Sequence, residues 1–282
     1  MRTPTVLASG FTFTEGPRWH DGSLWFSDVY GPTILRMETD GALSAVATVP
    51  GYPSGLGWLP DNTLLAVSAV DKRVVRVAPD GTQTTHADIS HLATWYANDM
   101  VVDGVGRAYV GNQGYDLAGG ASPRPTVLIL VEPDGSARVV ADDVLFPNGS
   151  VITADGRTLI VAETFAGRLT AFTITDDGSL TERRLFASLD GAFPDGIALD
   201  AEGAVWLASP PSHEVIRVAA TGAVLDRIAT GEHEAIACAL GGSDRRTLYI
   251  CTSSTHEPAE AMSRRDARIE AIDVDVPGAG WP

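Results

Sequence analysis

The chain is short of cysteine and of positive charge. Cys238 and Cys251 are the two cysteines in 282 residues, and no C-x-x-C occurs. A disulfide framework would be too sparse for this length. Each thiol lies in an apolar run (AIACAL and LYICTS), so both are expected as buried core residues. Lys and Arg number 20 against 36 Asp and Glu, a formal net charge of −16. Nucleic acid would be repelled, and no basic stripe compensates. The same acidity is compatible with attracting a cation. No apolar run approaches the ~18 residues of a transmembrane helix, so no membrane partner is expected. The opening MRTPTVLASGFTFTEG holds no h-region of the kind that directs secretion. A cytoplasmic location is expected.

Familiar catalytic signatures are also missing. There is no G-x-S-x-G, no H-E-x-x-H, no Walker A and no G-x-G-x-x-G. The six histidines (His20, His86, His91, His213, His233, His256) show no metal-ligand spacing. No stretch sustains a period of 3.6, so helices should be few. Disorder is excluded by an apolar content of 44% with 20% charged residues.

What is present is repetition. Six segments share one plan of strand, turn, strand, loop, strand and turn. They open at Glu15, Ser54, Asn98, Asn148, Asp195 and Ala237, between 39 and 50 residues apart. That is the period of a four-stranded propeller blade. One hairpin carries Asp21-Gly22, Asp61-Asn62, Asp155-Gly156 and Glu202-Gly203. Another carries Asp40-Gly41, Asp80-Gly81, Asp134-Gly135 and Asp177-Gly178. Such pairs supply the positive φ of tight hairpins. Runs such as TVLILVEP and LYICT are β-branched and aromatic. The reading is all-β: a six-bladed β-propeller formed by residues 1–282 as one domain. A β-sandwich gives no reason for six copies of one unit. Residues 4–9 should close the ring beside residues 268–274. The Gly/Pro-rich insertion at 119–125 is expected as a long surface loop in the third blade.

Each opening residue stands where the innermost strand of its blade begins. In a propeller those starts converge on the central channel at one face. Four of the six carry oxygen donors: Glu15, Asn98, Asn148 and Asp195. Gly follows three of them (Gly16, Gly149, Gly196), and Pro precedes two (Pro147, Pro194). The glycine is expected to let the backbone turn close to the axis, and the proline to fix its approach. Four oxygens with two charges, and no thiolate or imidazole, make a hard-cation site. One divalent ion is expected. Ca2+ fits best, Mg2+ or Mn2+ would be accepted, and Zn2+ could occupy the ring if offered.

Together F-T-E-G-P-R-W, N-D-M-V-V-D, F-P-N-G-S, F-P-D-G-I-A-L-D and L-Y-I-C-T-S resemble the SMP-30/gluconolactonase family along nearly the whole chain. The resemblance implies a single catalytic metal with Glu15, Asn148 and Asp195 as ligands. It implies Asp195 as general base, and Asn98 beside the metal for ligand or substrate contact. Asp116 lies where a substrate-contacting acid occurs in some relatives. One departure stands out: where sugar-lactone members carry Arg two residues before the equivalent of Asn98, this chain has Tyr96. An aromatic ring there favours a less polar substrate, with Trp95, Tyr52, Phe146, Phe165 and Phe193 available as apolar lining. The expected activity is metal-assisted opening of a small cyclic ester, a lactonase with a small-molecule partner. Two other readings keep the site: a phosphotriesterase, or a calcium-binding propeller without catalysis.

Overall fold

The turn chemistry acts as the sequence suggests. Asp21 and Gly22 both take left-handed backbone (φ 51 and 78), and so do Asn62, Gly156 and Gly203 at the equivalent hairpins. In the outer hairpins, Asp40, Asp80, Asp134 and Asp177 each accept the backbone N–H two residues ahead. Strand pairs closed this way assemble into six antiparallel four-stranded sheets. The structure is a computed structural model and describes residues 2–280.

The sheets are the blades of a six-bladed β-propeller, with inner strands Thr14–His20, Pro53–Trp58, Ala97–Val102, Pro147–Ile152, Ile197–Leu199 and Glu234–Gly241. Blades 1 to 5 each run in sequence order from the inner strand outward. Blade 6 is closed by the chain's first strand, Thr5–Phe11, which pairs antiparallel with Ala267–Asp273. The expected closure is thus found, and the two ends of the chain are tied in one sheet. Helices are few: among the described residues Pro258–Arg264 is the single α-helix. None is long and apolar enough to cross a membrane.

The apolar core lies between blades. Six clusters of buried side chains each join two neighbouring blades, as where Leu65, Val67 and Val74 of blade 2 meet Met100, Val110 and Ile129 of blade 3. Burial at roughly 25 cal/mol per Å2 therefore drives blade against blade rather than toward one centre. Cys238 and Cys251 are buried free thiols in two of these clusters, as expected. The axis is left to polar side chains.

Candidate functional site

The inner strands do not open as plain ladders. In blade 1, Glu15 faces Ser27, yet Arg18 faces Trp25, so the inner strand carries one extra residue. The same bulge follows Pro53, Ala97 and Pro147, and it places Ser54, Asn98 and Asn148 within it. A bulge re-aims the side chain it carries. In blade 5, Asp195 lies just ahead of the strand, with its N–H donating to the carbonyl of Ala208 at 2.9 Å. One local irregularity, repeated around the ring, thus directs the opening residues of different blades.

The glycines let the backbone come close to the axis, as expected, and at two of the three this needs no left-handed turn. Of Gly16, Gly149 and Gly196, Gly16 alone has positive φ, 55°. Their shared property is close approach of the next blade. A Cβ on Gly149 would lie 2.6 Å from the carbonyl oxygen of Asp195, and one on Gly196 would lie 2.3 Å from Cβ of Ala237. At Gly16 it would meet the carbonyl of Ser54 at 2.5 Å. Missing side chains let the inner backbones close around the axis. Gly149 N–H donates to Asp195 O, and Gly196 N–H to Ile236 O.

The loops leading into the ring are clamped from the ends of the second strands. Asp28 accepts the N–H of Thr12 at 2.9 Å and of Phe13 at 3.1 Å. Glu163, fully buried and paired with Arg168 and Arg183, accepts the N–H of Leu145 at 2.8 Å. Ser209 accepts that of Phe193. These anchors hold the aromatic residues that precede Glu15, Asn148 and Asp195. Phe146 is held in left-handed backbone (φ 54), a conformation unfavourable for a bulky residue.

The ring brings together what the sequence reading grouped. Glu15, Asn148 and Asp195 are buried, and Asn98 is half-buried. The Asn98 amide donates to Oδ1 of Asn148 at 3.1 Å. The Asn148 amide neighbours the Asp195 carboxylate. Burial, followed by the charge of Asp99, pushes Glu15 up to about 8. Burial, followed by the charges of Glu15 and Asp99, pushes Asp195 well above the usual carboxylate range. Two buried carboxyls thus act on one another, the situation a cation relieves. Oδ1 of Asp195 is buried with no hydrogen-bond partner in the protein. An orphaned acceptor oxygen within a ring of amides and carboxylates fits a hard divalent ion. Among the described residues no group of three or more His, Cys, Asp and Glu forms a metal cluster. Two of the ring's four residues are asparagines, so the ring itself holds two carboxylates.

Tyr96 stacks on Trp95, with ring centroids 5.1 Å apart, and remains 36% exposed beside Asn98. Phe165 lies between Phe146 at 5.1 Å and Phe193 at 6.2 Å, with Tyr115 packed behind. Tyr52 meets Tyr30 edge-on at 5.5 Å. Asp116 is half-buried and accepts the N–H of Gly119 at 2.8 Å, which caps its own loop. That loop is exposed from residue 117 to 125. It follows the second strand of blade 3, so the alternation of strands puts it on the same face as the ring.

Sequence reading missed a buried ion pair below the ring. Arg18 reaches Asp99 at 2.7 Å, and the two side chains are 3% and 5% exposed. The guanidinium also donates to the carbonyls of Leu56 and Met100. Opposite charges within the inner strands that carry Glu15 and Asn98 were the available signal.

The SMP-30/gluconolactonase/LRE-like region matches residues 13–254. The chain belongs to this family. A 6-deoxy-6-sulfogluconolactonase of Pseudomonas putida is 33% identical, with 100% of this chain and 96% of that protein covered. A pentonolactonase of Haloferax volcanii is 26% identical over 100% of this chain and 97% of its own length. Among solved structures, a calcium-binding regucalcin from Agrobacterium tumefaciens superposes with a TM-score of 0.83 at 21% identity, covering 100% and 99% of the two chains. Family membership agrees with the resemblance carried by F-T-E-G-P, F-P-N-G and F-P-D-G.

Proposed function

We propose that this family member is a metal-dependent lactonase acting on cyclic esters with an apolar substituent. The observation that carries the reading is the buried carboxyl pair Glu15 and Asp195, both pushed up by burial, with Oδ1 of Asp195 orphaned. Two relatives named as lactonases support the reaction class. Glu15, Asn148 and Asp195, with Asn98 beside them, would hold a divalent ion, Ca2+ by the hardness of the donors, which when bound supplies a Lewis acid for the ester carbonyl.

The remaining chemistry belongs to the chain. Asp195, whose carboxyl lies in the ring beside Asn148, takes the proton of the attacking water. Asn98, half-buried at the mouth, turns its amide toward the carbonyl oxygen. Tyr96 and the group Phe146, Phe165 and Phe193 hold the apolar part of the ring and exclude water. Asp116, on the loop of blade 3, contacts polar atoms of the substrate's outer edge.

The test is metal analysis of the purified protein with a screen of γ- and δ-lactones bearing polar and apolar substituents. The reading expects one divalent ion per chain and turnover that is lost on chelation and restored by the ion. A protein that stays folded with its ion and opens no lactone would overturn it.

A further inference from the structure

Blade 6 offers the ring no donor, because Ala237 stands at its position. Its inner strand nevertheless begins three residues earlier, at Glu234, which pairs with Ser253 at the end of the second strand. The loop after Ser253 carries His256. Its Nδ1 lies 2.7 Å from Oε2 of Glu234, an ion-pair contact whose N–H is not aligned as a hydrogen bond. The imidazole packs on Phe13, 5.3 Å between centroids, two residues before Glu15. The Tyr30 hydroxyl donates to the His256 carbonyl at 2.9 Å and fixes the loop. Both imidazoles nearby, His256 and then His213, hold Glu234 below its ordinary range, and Glu234 in turn acts on the Asp195 carboxyl. Asp195 precedes the inner strand of blade 5, and Glu234 and His256 belong to the next blade, so the three lie on neighbouring blades at the ring's face.

We propose that His256, held by Glu234, donates the proton to the leaving oxygen when the cyclic ester opens. This rests on the lactonase reading above. With Nδ1 turned to the Glu234 carboxylate at 2.7 Å, Nε2 is the nitrogen left to face the substrate as donor. Water adds its oxygen to the carbonyl carbon and passes a proton to Asp195. The ring C–O bond breaks, and its oxygen leaves with the bonding pair and takes the Nε2 proton. The proton on Asp195 passes through solvent to His256, and the new carboxylic acid ionises. Water is consumed, one proton is released, and no redox partner is needed. His256 is a catalytic residue in this scheme, and Glu234 is a positioning residue.

A proton donor matters most for a strongly basic leaving group. The experiment compares δ-valerolactone, which expels an alkoxide, with dihydrocoumarin, which expels a phenoxide, on the full-length metal-loaded protein. His256→Gln should lower kcat on δ-valerolactone by about 10²-fold, and the loss on dihydrocoumarin should be at least about tenfold smaller. Glu234→Gln should show the same asymmetry, weaker, in kcat rather than KM. His256 is half exposed, so its variant should fold, which an unchanged melting curve checks. Equal losses on both lactones, or no loss, overturn the proton-donor role and leave the lactonase reading standing. A wild type that opens neither lactone overturns both.

Discussion

Two buried aspartates near the axis are treated in opposite ways. Asp99 is given a permanent counter-charge: Arg18 reaches it at 2.7 Å, and both are out of water. Asp195 is given none, and Oδ1 has no partner at all. Glu15, its charged neighbour, receives a hydrogen bond from the adjacent N–H of Gly16 and a weaker pull from Arg18, and neither offsets its burial. A charge that must always be neutral in effect is paired with a side chain. In the proposed reading, the carboxyl that would accept a removable ion is left without a counter-charge, beside the amide of Asn148. The difference separates the floor of the site from its working ring.

The comparison is broken most directly at Asp195. Asp195→Ala should lower kcat on the best lactone by about 10²–10⁴-fold and weaken metal binding, measured by steady-state kinetics and calorimetry. Near-normal turnover at saturating metal would remove the general base from the scheme. Next in size is Arg18→Met, which strands Asp99 in the channel. Chemical denaturation should show a loss of about 3–5 kcal/mol. The double variant Arg18→Met with Asp99→Asn should recover much of it, because no charge is left buried alone. If the double variant is no better than the single one, packing by Arg18 rather than charge sets the cost.

A third prediction sharpens the role of the open pair. Saturating metal at about 100 times Kd should stabilise the protein by about 2.7 kcal/mol, read as a rise in melting temperature that chelator reverses. Glu15→Gln should fold and should lose that dependence. A variant as metal-responsive as the wild type would show the ion sitting elsewhere.

The fold was legible because its signals are local. Turn pairs such as Asp21-Gly22 and Asp177-Gly178 fix hairpins within a few residues of themselves, and six copies then fix the architecture. The ring was legible through the same repetition, which set Glu15, Asn98, Asn148 and Asp195 in register. The bulges were not, because one extra residue in a strand leaves no mark in composition. Gly149 and Gly196 were legible as points of close approach, but not the groups they make room for, Asp195 and Ala237 of the next blade. Arg18 with Asp99, and Glu234 with His256, are pairs between distant segments, where opposite charge alone selects no partner. Asp116 was placed by resemblance, and its hydrogen bond to Gly119 became visible only with the loop's conformation.

The smallest effect is expected at Tyr96, and it bears on which substrate the open ring serves. Tyr96 is partly exposed and leans on Trp95, so its replacement disturbs no core. Tyr96→Arg would put a cationic donor beside Asn98, the arrangement of sugar-lactone members to which the motifs are similar. One hydrogen bond to a charged group is worth about 1.5–3 kcal/mol, and exposure reduces that gain. The ratio of kcat/KM between a polyhydroxylated and an alkyl-substituted lactone should therefore shift by about tenfold toward the polar one, with the change mostly in KM. Should the ratio stay put while Phe146→Ala or Phe165→Ala alters it, the apolar wall of blade 4, and not Tyr96, sets the preference.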